Sequence, residues 1–191
     1  DNKTKRQNSL ELVASDFELS YRAEKTTKSG FLEDFIYFKT KKIEYLFNQL
    51  SVKKGPYRLF DITYSEGEFI AKEVVRSTML YIKTSKNIPV FTLDREGLLE
   101  RFYALAGYKD IAIDNHTDFS KRFYLRGENA KGIKTLFTDE LVRFFESNAY
   151  YHIESSKDGV LIYSKERVAS IKEIKALLDF GIRLNAIINK V

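Results

Sequence analysis

YRLFDITYSEGEFIAKEVVRSTMLYIK, residues Tyr57 to Lys83, carries the strongest strand signal in the chain and decides its fold class. Tyr57 to Tyr64 is dense in β-branched and aromatic residues, and Ser65-Glu-Gly67 is a turn signature. The run from Glu68 to Lys83 then resumes in Val, Ile, Thr, Tyr and Phe, so the stretch predicts a hairpin of two long antiparallel strands. On the second strand Ile70, Val74, Thr78, Leu80 and Ile82 share one face, and Phe69, Ala71, Val75, Met79 and Tyr81 share the other. Both faces are partly apolar, which predicts a central strand covered by helices on at least one side.

Toward the C-terminus, residues 88–119 (IPVFTLDREGLLERFYALAGYKDIAIDNHTDF) read as strand, helix, strand. Pro89 at the start of Val90 to Leu93 marks an edge-tolerant strand, because proline supplies no ladder donor. Asp94 is the expected helix cap, Leu98, Leu99, Phe102 and Leu105 recur at helical spacing, and Gly107 stands at the expected left-handed C-cap. Asp110 to Ile113 is expected as strand, residues 114–118 as loop and Arg122 to Arg126 as strand. Asn129 and Thr138 are expected caps of two successive helical segments through Ile133, Leu136 and Phe137 and through Leu141, Phe144 and Phe145. Tyr150 to Glu154 and Val160 to Tyr163 flank Ser155-Ser-Lys-Asp-Gly159, a second hairpin signature. Ser170 and Glu173 form a capping box before a helix whose buried stripe is expected at Ile171, Ile174, Leu177, Leu178, Ile182 and Ile188, widened by Leu184 and Ile187.

Toward the N-terminus, Asp1 to Ser9 reads as a polar tether, Leu10 to Ala14 as one or two helical turns, and Phe17 to Tyr21 as a strand. Glu24 to Gly30 lacks apolar residues and reads as a loop. Phe31, Leu32, Phe35, Ile36 and Phe38 form an aromatic patch compatible with helix or strand. The sum is an α+β fold with a mainly antiparallel sheet, a long central β-hairpin and about three to four packed helices. Residues 10–191 are expected as a single domain that admits a two-lobe division near residue 88.

The 191 residues are 43 % hydrophobic and 31 % charged, an ordinary globular composition, and the net charge of +5 is spread over scattered basic pairs. Fifteen Phe and twelve Tyr fit a β-rich core. The absence of cysteine excludes disulfides and thiolate metal sites, and His116 and His152 are too few for a multi-histidine zinc site. No apolar run approaches the roughly 18 to 20 residues needed to cross a bilayer. The chain opens at Asp1 and not at methionine, so a fragment or a processed form is expected.

Few motifs carry chemistry. Gly127-Glu-Asn-Ala-Lys-Gly132-Ile-Lys-Thr135 resembles a phosphate-binding loop but is one residue out of register, with Ile133 where the lysine must stand. It reads as a turn and a helix start. Asp114, His116 and Asp118 alternate along a loop and, with Asp110, offer a candidate divalent-metal ligand set, although the spacing matches no established one. Asp94 and Glu96 read as helix N-terminal charges. Lys121-Arg-Phe-Tyr-Leu-Arg126 interleaves aromatic and basic residues as a nucleic-acid surface does, and reads first as an amphipathic strand with Phe123 and Leu125 buried. No catalytic residues and no cofactor are assigned.

The succession LELVASDFELSY, RLFDITYSEGE, IPVFTLDREG, GYKDIAIDNHTDFSKRFYLRGEN and IKTLF resembles an uncharacterised group of bacterial proteins of unknown function, in which a comparable soluble domain follows one or two transmembrane helices. The resemblance implies a membrane-tethered origin, with Asp1 to Arg6 as the juxtamembrane tail, and brings no catalytic residues. Lys3, Lys5 and Arg6 beside such a segment favour the cytoplasmic side. The leading expectation is therefore a non-catalytic binding or interaction domain of a membrane-associated protein, meeting a protein partner or a second copy through its C-terminal helix. A metal-dependent enzyme using Asp110, Asp114, His116 and Asp118 is the alternative. Binding of nucleic acid or anionic lipid through the basic surface ranks third.

Overall fold

The computed structural model describes residues 2–67, 69–95, 106–164 and 166–191. The fold is α+β, its strands paired antiparallel in every register described. The chain divides into two compact units, Asp1–Lys83 with Lys165–Asp179 and Thr84–Ser164 with Phe180–Val191.

The first unit is built on four strands in the order β1 (Ser20–Arg22), β2 (Lys41–Ser51), β3 (Tyr57–Glu66) and β4 (Glu73–Lys83). The expected hairpin is β3–β4, paired from Tyr57↔Ile82 to Glu66↔Glu73. Its second strand begins at Glu73 and not at Glu68. The reason lies at Gly67, whose φ of +87° turns the chain out of the ladder and brings its Cα under the Ala71 carbonyl, where any Cβ would lie 2.5 Å from that oxygen. One face of the sheet carries Arg58, Phe60, Ile62 and Tyr64 and is covered by the aromatic patch, which forms two 3-10 turns, Gly30–Leu32 and Ile36–Phe38. The other face carries Asp61 and Thr78 and is tied to helix α1 (Asn2–Asp16) and to residue 169 ahead of the C-terminal helix. Where a tether is expected the chain is helical from Asn2, and Leu10, Val13 and Ala14 supply the buried stripe that holds it. The strand expected at Phe17 to Tyr21 is shorter and later, since Phe17 and Glu18 still close the helix by bonds to Val13 and Ser15.

The second unit has five strands in the order β9-β8-β5-β7-β6. They are β5 (Phe91–Asp94), β6 (Lys109–Asp110), β7 (Tyr124–Gly127), β8 (His152–Ser155) and β9 (Gly159–Tyr163). β5, expected as edge-tolerant from Pro89, pairs with both β7 and β8, and the proline lies before the first paired residue, where no ladder donor is needed. The helix expected after Asp94 falls outside the described residues, while Gly107 has the expected left-handed φ of +78°. β6 is only two residues long, and residues 117–122 form helix α2 (Thr117–Arg122) where loop and strand are expected. Phe119 of α2 is fully buried against Phe123 and Phe137, which requires the helical turn.

Asn129 caps α3 (Ala130–Leu136) by accepting the Gly132 amide at 2.9 Å, and Thr138 caps α4 (Asp139–Ser147) by accepting the Leu141 amide at 3.3 Å. The capping box holds: Glu173 Oε2 accepts from the Ser170 amide at 2.8 Å and Ser170 Oγ from the Glu173 amide at 3.2 Å, ahead of α5 (Ile171–Ile188). Ile174, Leu177 and Leu178 of α5 are buried in the first unit, and Phe180, Leu184 and Ile188 in the second. Ile182, assigned to the stripe by spacing, is exposed.

Candidate functional site

The 110–118 segment leaves β6 and turns at Asn115, whose φ of +66° is one that asparagine tolerates. Its polar residues disperse to separate partners. Asp110 Oδ1 accepts from Arg126 Nε at 2.8 Å, Asp114 Oδ2 lies 3.7 Å from Lys134 Nζ, and His116 Nε2 meets Asp139 Oδ1 at 2.6 Å. Asp118 lies in the first turn of α2. The His116 contact holds the Asp139 carboxyl below the ordinary aspartate range. Among the described residues no group of three or more His, Asp or Glu side chains is arranged to hold a metal ion.

Arg126, which the nucleic-acid alternative for residues 121–126 would need at the surface, is 4 % exposed. Its guanidinium packs 4.7 Å from the Tyr124 ring and 4.0 Å from Asp94 Oδ2, beside the Asp110 bond. Phe123 and Leu125 are buried as expected, whereas Lys121 and Arg122 belong to α2. Both glycines of the near-miss phosphate loop have packing reasons. A Cβ on Gly127 would lie 2.3 Å from Ile133 Cδ1 and 2.7 Å from the Val90 carbonyl, and one on Gly132 would lie 2.6 Å from the capping amide of Asn129.

In the first unit a polar network that sequence reasoning missed is centred on Asp61, which is 1 % exposed. Its two oxygens accept from Arg6 Nη2 at 3.0 Å, Arg6 Nε at 3.3 Å, Asn48 Nδ2 at 2.9 Å and Thr78 Oγ1 at 2.6 Å. Arg6 Nη1 donates to the Ala169 carbonyl at 2.6 Å, and the Ala169 amide donates to Thr78 Oγ1 at 2.9 Å. Arg6, expected as a juxtamembrane charge, thus serves as an internal clamp. A buried carboxylate with every acceptor position filled pins α1 and residue 169 to the sheet and has no lone pair to offer a ligand.

An open feature of this unit lies at the start of β4. Glu73, Val74, Val75 and Arg76 face Glu166, Arg167 and Val168 across a cleft of about 380 Å³. Val74 is 62 % exposed, and Ile70, in the turn just before the strand, is fully exposed. The cleft is therefore lined by apolar Val74 and Val168 together with side chains of both charges. The Arg167 guanidinium pairs with Glu173 at 3.1 Å and pulls the Glu173 carboxyl down to about 2, helped by the Ser170 amide.

No helix among the described residues is long and apolar enough to cross a membrane. No protein-family model and no curated protein matches the sequence. Among solved structures, the chain is similar to the mycobacterial trehalose monomycolate transport factor A, TtfA, with a TM-score of 0.57 at 10 % identity, covering 95 % of this chain and 93 % of that one. At that identity the likeness is one of fold, and it extends over nearly the whole of both chains.

Proposed function

We propose that this chain is a non-catalytic interaction domain of a membrane-associated bacterial protein, which receives a protein partner at the start of β4. The observation that carries the reading is the exposed Val74 in the open cleft formed with Glu166, Arg167 and Val168, with a second exposed apolar side chain, Ile70, in the turn that precedes the strand. Apolar side chains left in water at a concave surface that also carries charges suit a protein contact, in which the apolar centre is desolvated and the charges form the rim. The fold shared with a transport factor supports the same reading, because that protein too is named for a part in moving a substrate and not for a reaction.

The test places a photo-crosslinking amino acid at Val74 in cells that express the full-length product, with Lys83 as a control position. A discrete crosslinked protein at Val74, lost on Ile70→Asp, is the expected result. No crosslink above that at Lys83 would refute the assignment of this surface. Fractionation with an alkaline wash and protease accessibility reads the membrane association separately, and the expected outcome is a membrane-retained, protease-protected domain on the cytoplasmic side.

A further inference from the structure

On the face of the first sheet covered by the aromatic turns, two arginines share the surface with no ion pair to a carboxylate among the described residues. Arg22 on β1 lies opposite Gln49 of β2, and Arg58 on β3 lies opposite Ser51 of β2. Gln49 and Ser51 are two residues apart on one strand, so the two arginines emerge on the same face, one on each side of β2 and roughly 12 Å apart at their Cα atoms, a span two long side chains can close on one ligand. Arg58 is half-buried and its guanidinium stacks 4.4 Å from the centre of the Phe31 ring; Arg22 is exposed. Neither guanidinium makes a hydrogen bond or ion pair among the described residues. The charges that act on Arg58 are the Tyr81 phenol, its cross-strand neighbour, and Arg22, and burial together with the like charge of Arg22 lowers its pKa.

This arrangement works against folding unless something uses it. Elsewhere in the same unit a part-buried arginine is neutralised: Arg6 has Asp61. Arg58 instead keeps its planar fork of donors free while one face is fixed on Phe31, which removes much of the rotamer freedom that a ligand would otherwise have to freeze. A second guanidinium on the same face adds to the positive field that Arg58 feels. The ligand that fits two adjacent guanidiniums is a tetrahedral oxyanion, since each fork can take two of its oxygens.

We infer that Arg58 and Arg22, with Phe31 as the stacking floor, form a binding site for a phosphate group, carried either by free phosphate or by the headgroup of an anionic lipid. The site is separate from the β4 cleft and independent of the protein-partner reading. Thermal unfolding of the full chain in inorganic phosphate against chloride at matched ionic strength reads the first source. Co-sedimentation with phosphatidylcholine vesicles, with and without phosphatidylglycerol, reads the second. The variants are R58Q, R58K and the exposed-site R22Q, with K53Q as a control for diffuse charge.

A phosphate-specific rise in the unfolding midpoint of the wild type that is lost in R58Q and R22Q supports a free-phosphate site. Vesicle binding that needs phosphatidylglycerol and weakens by roughly tenfold or more in R58Q and R22Q, but less than about twofold in K53Q, supports a headgroup site. In either case R58K is expected to bind more weakly than wild type, because an ammonium keeps the charge but loses the fork and the stack. Absence of both effects in the wild type overturns the inference, as does equal loss in K53Q and R22Q. R22Q alters an exposed side chain, so its result stands even if R58Q fails to fold.

Discussion

Asp61 shows how one side chain can hold several elements at once. Asn48 reaches it only because its own backbone adopts a φ of +48°, a conformation asparagine accepts and most residues resist, and its amide is further fixed by the Tyr21 hydroxyl at 2.7 Å. The carboxylate, Arg6, Asn48 and Thr78 therefore act as a unit, and removing its centre leaves a part-buried guanidinium uncompensated. Asp61→Ala is expected to lower stability by about 3 to 5 kcal/mol, measured by urea unfolding, and a loss under about 1 kcal/mol would show that the network is ornamental. Glu173 makes a second case at this scale. Its carboxyl, held by Arg167 and the Ser170 amide, is expected to titrate at about 2 by NMR, and to move up toward 4.5 in Arg167→Gln. Because the folded value is depressed, the stabilisation it brings is present above the unfolded pKa and fades as pH falls toward about 2. An unchanged titration in the variant would assign the shift to the capping bonds alone.

Among the elements, β7 and α3 meet at Gly127, where the strand passes under both Ile133 and the Val90 carbonyl. Gly127→Ala is expected to destabilise by about 1 to 3 kcal/mol through overpacking. Ile133→Val in the same chain removes the closer clash and should recover part of the loss, but not all of it, since the Val90 carbonyl is backbone. Thermal or urea unfolding of the single and double variants decides this, and additive losses would rule the clash out. The elements that sequence reasoning recovers are those with local causes: the β3–β4 hairpin from its alternation and turn, α3 and α4 from Asn129 and Thr138, and α5 from its capping box. β2 went unread because its register shifts between Ile43 and Tyr45 and between Phe47 and Leu50, which breaks the alternation on which a strand is recognised. α2 reads as loop and strand in the sequence because a helix of one to two turns leaves no periodic stripe. The candidate metal residues failed to converge for a related reason. Asp110, Asp114 and His116 find partners on β7, α3 and α4, and those pairings depend on tertiary placement that no local pattern encodes.

Over the whole molecule, the aromatic content fixes how the protein responds to base. Of its twelve tyrosines, Tyr21 and Tyr108 have their phenols pushed up to about 12, chiefly by burial, with nearby carboxylates adding to the effect. Tyr37 and Tyr64 are raised further, again first by burial; their hydroxyls meet at 2.6 Å in the interior of the first unit, stacked edge to face. Each of these groups keeps its proton in the folded chain at pH values where the unfolded chain has lost it, so the folded state binds more protons above pH 10 and stability falls as pH rises from there. Below the unfolded pKa the contribution is complete. Phenolate absorbance is therefore expected to rise in two stages, the first including Tyr45, whose contacts with Thr63 and Lys25 lower its pKa. The second stage, for Tyr21, Tyr37, Tyr64 and Tyr108, is expected near or above pH 12 and together with loss of the far-UV circular dichroism, because the Tyr37–Tyr64 pair cannot ionise without opening the core it closes. Replacing Tyr37 by Phe should reduce the second stage and leave the first unchanged. A single absorbance step near pH 10 with the circular dichroism intact would mean that these phenols are in contact with water, and the aromatic turns would then not seal the sheet as described.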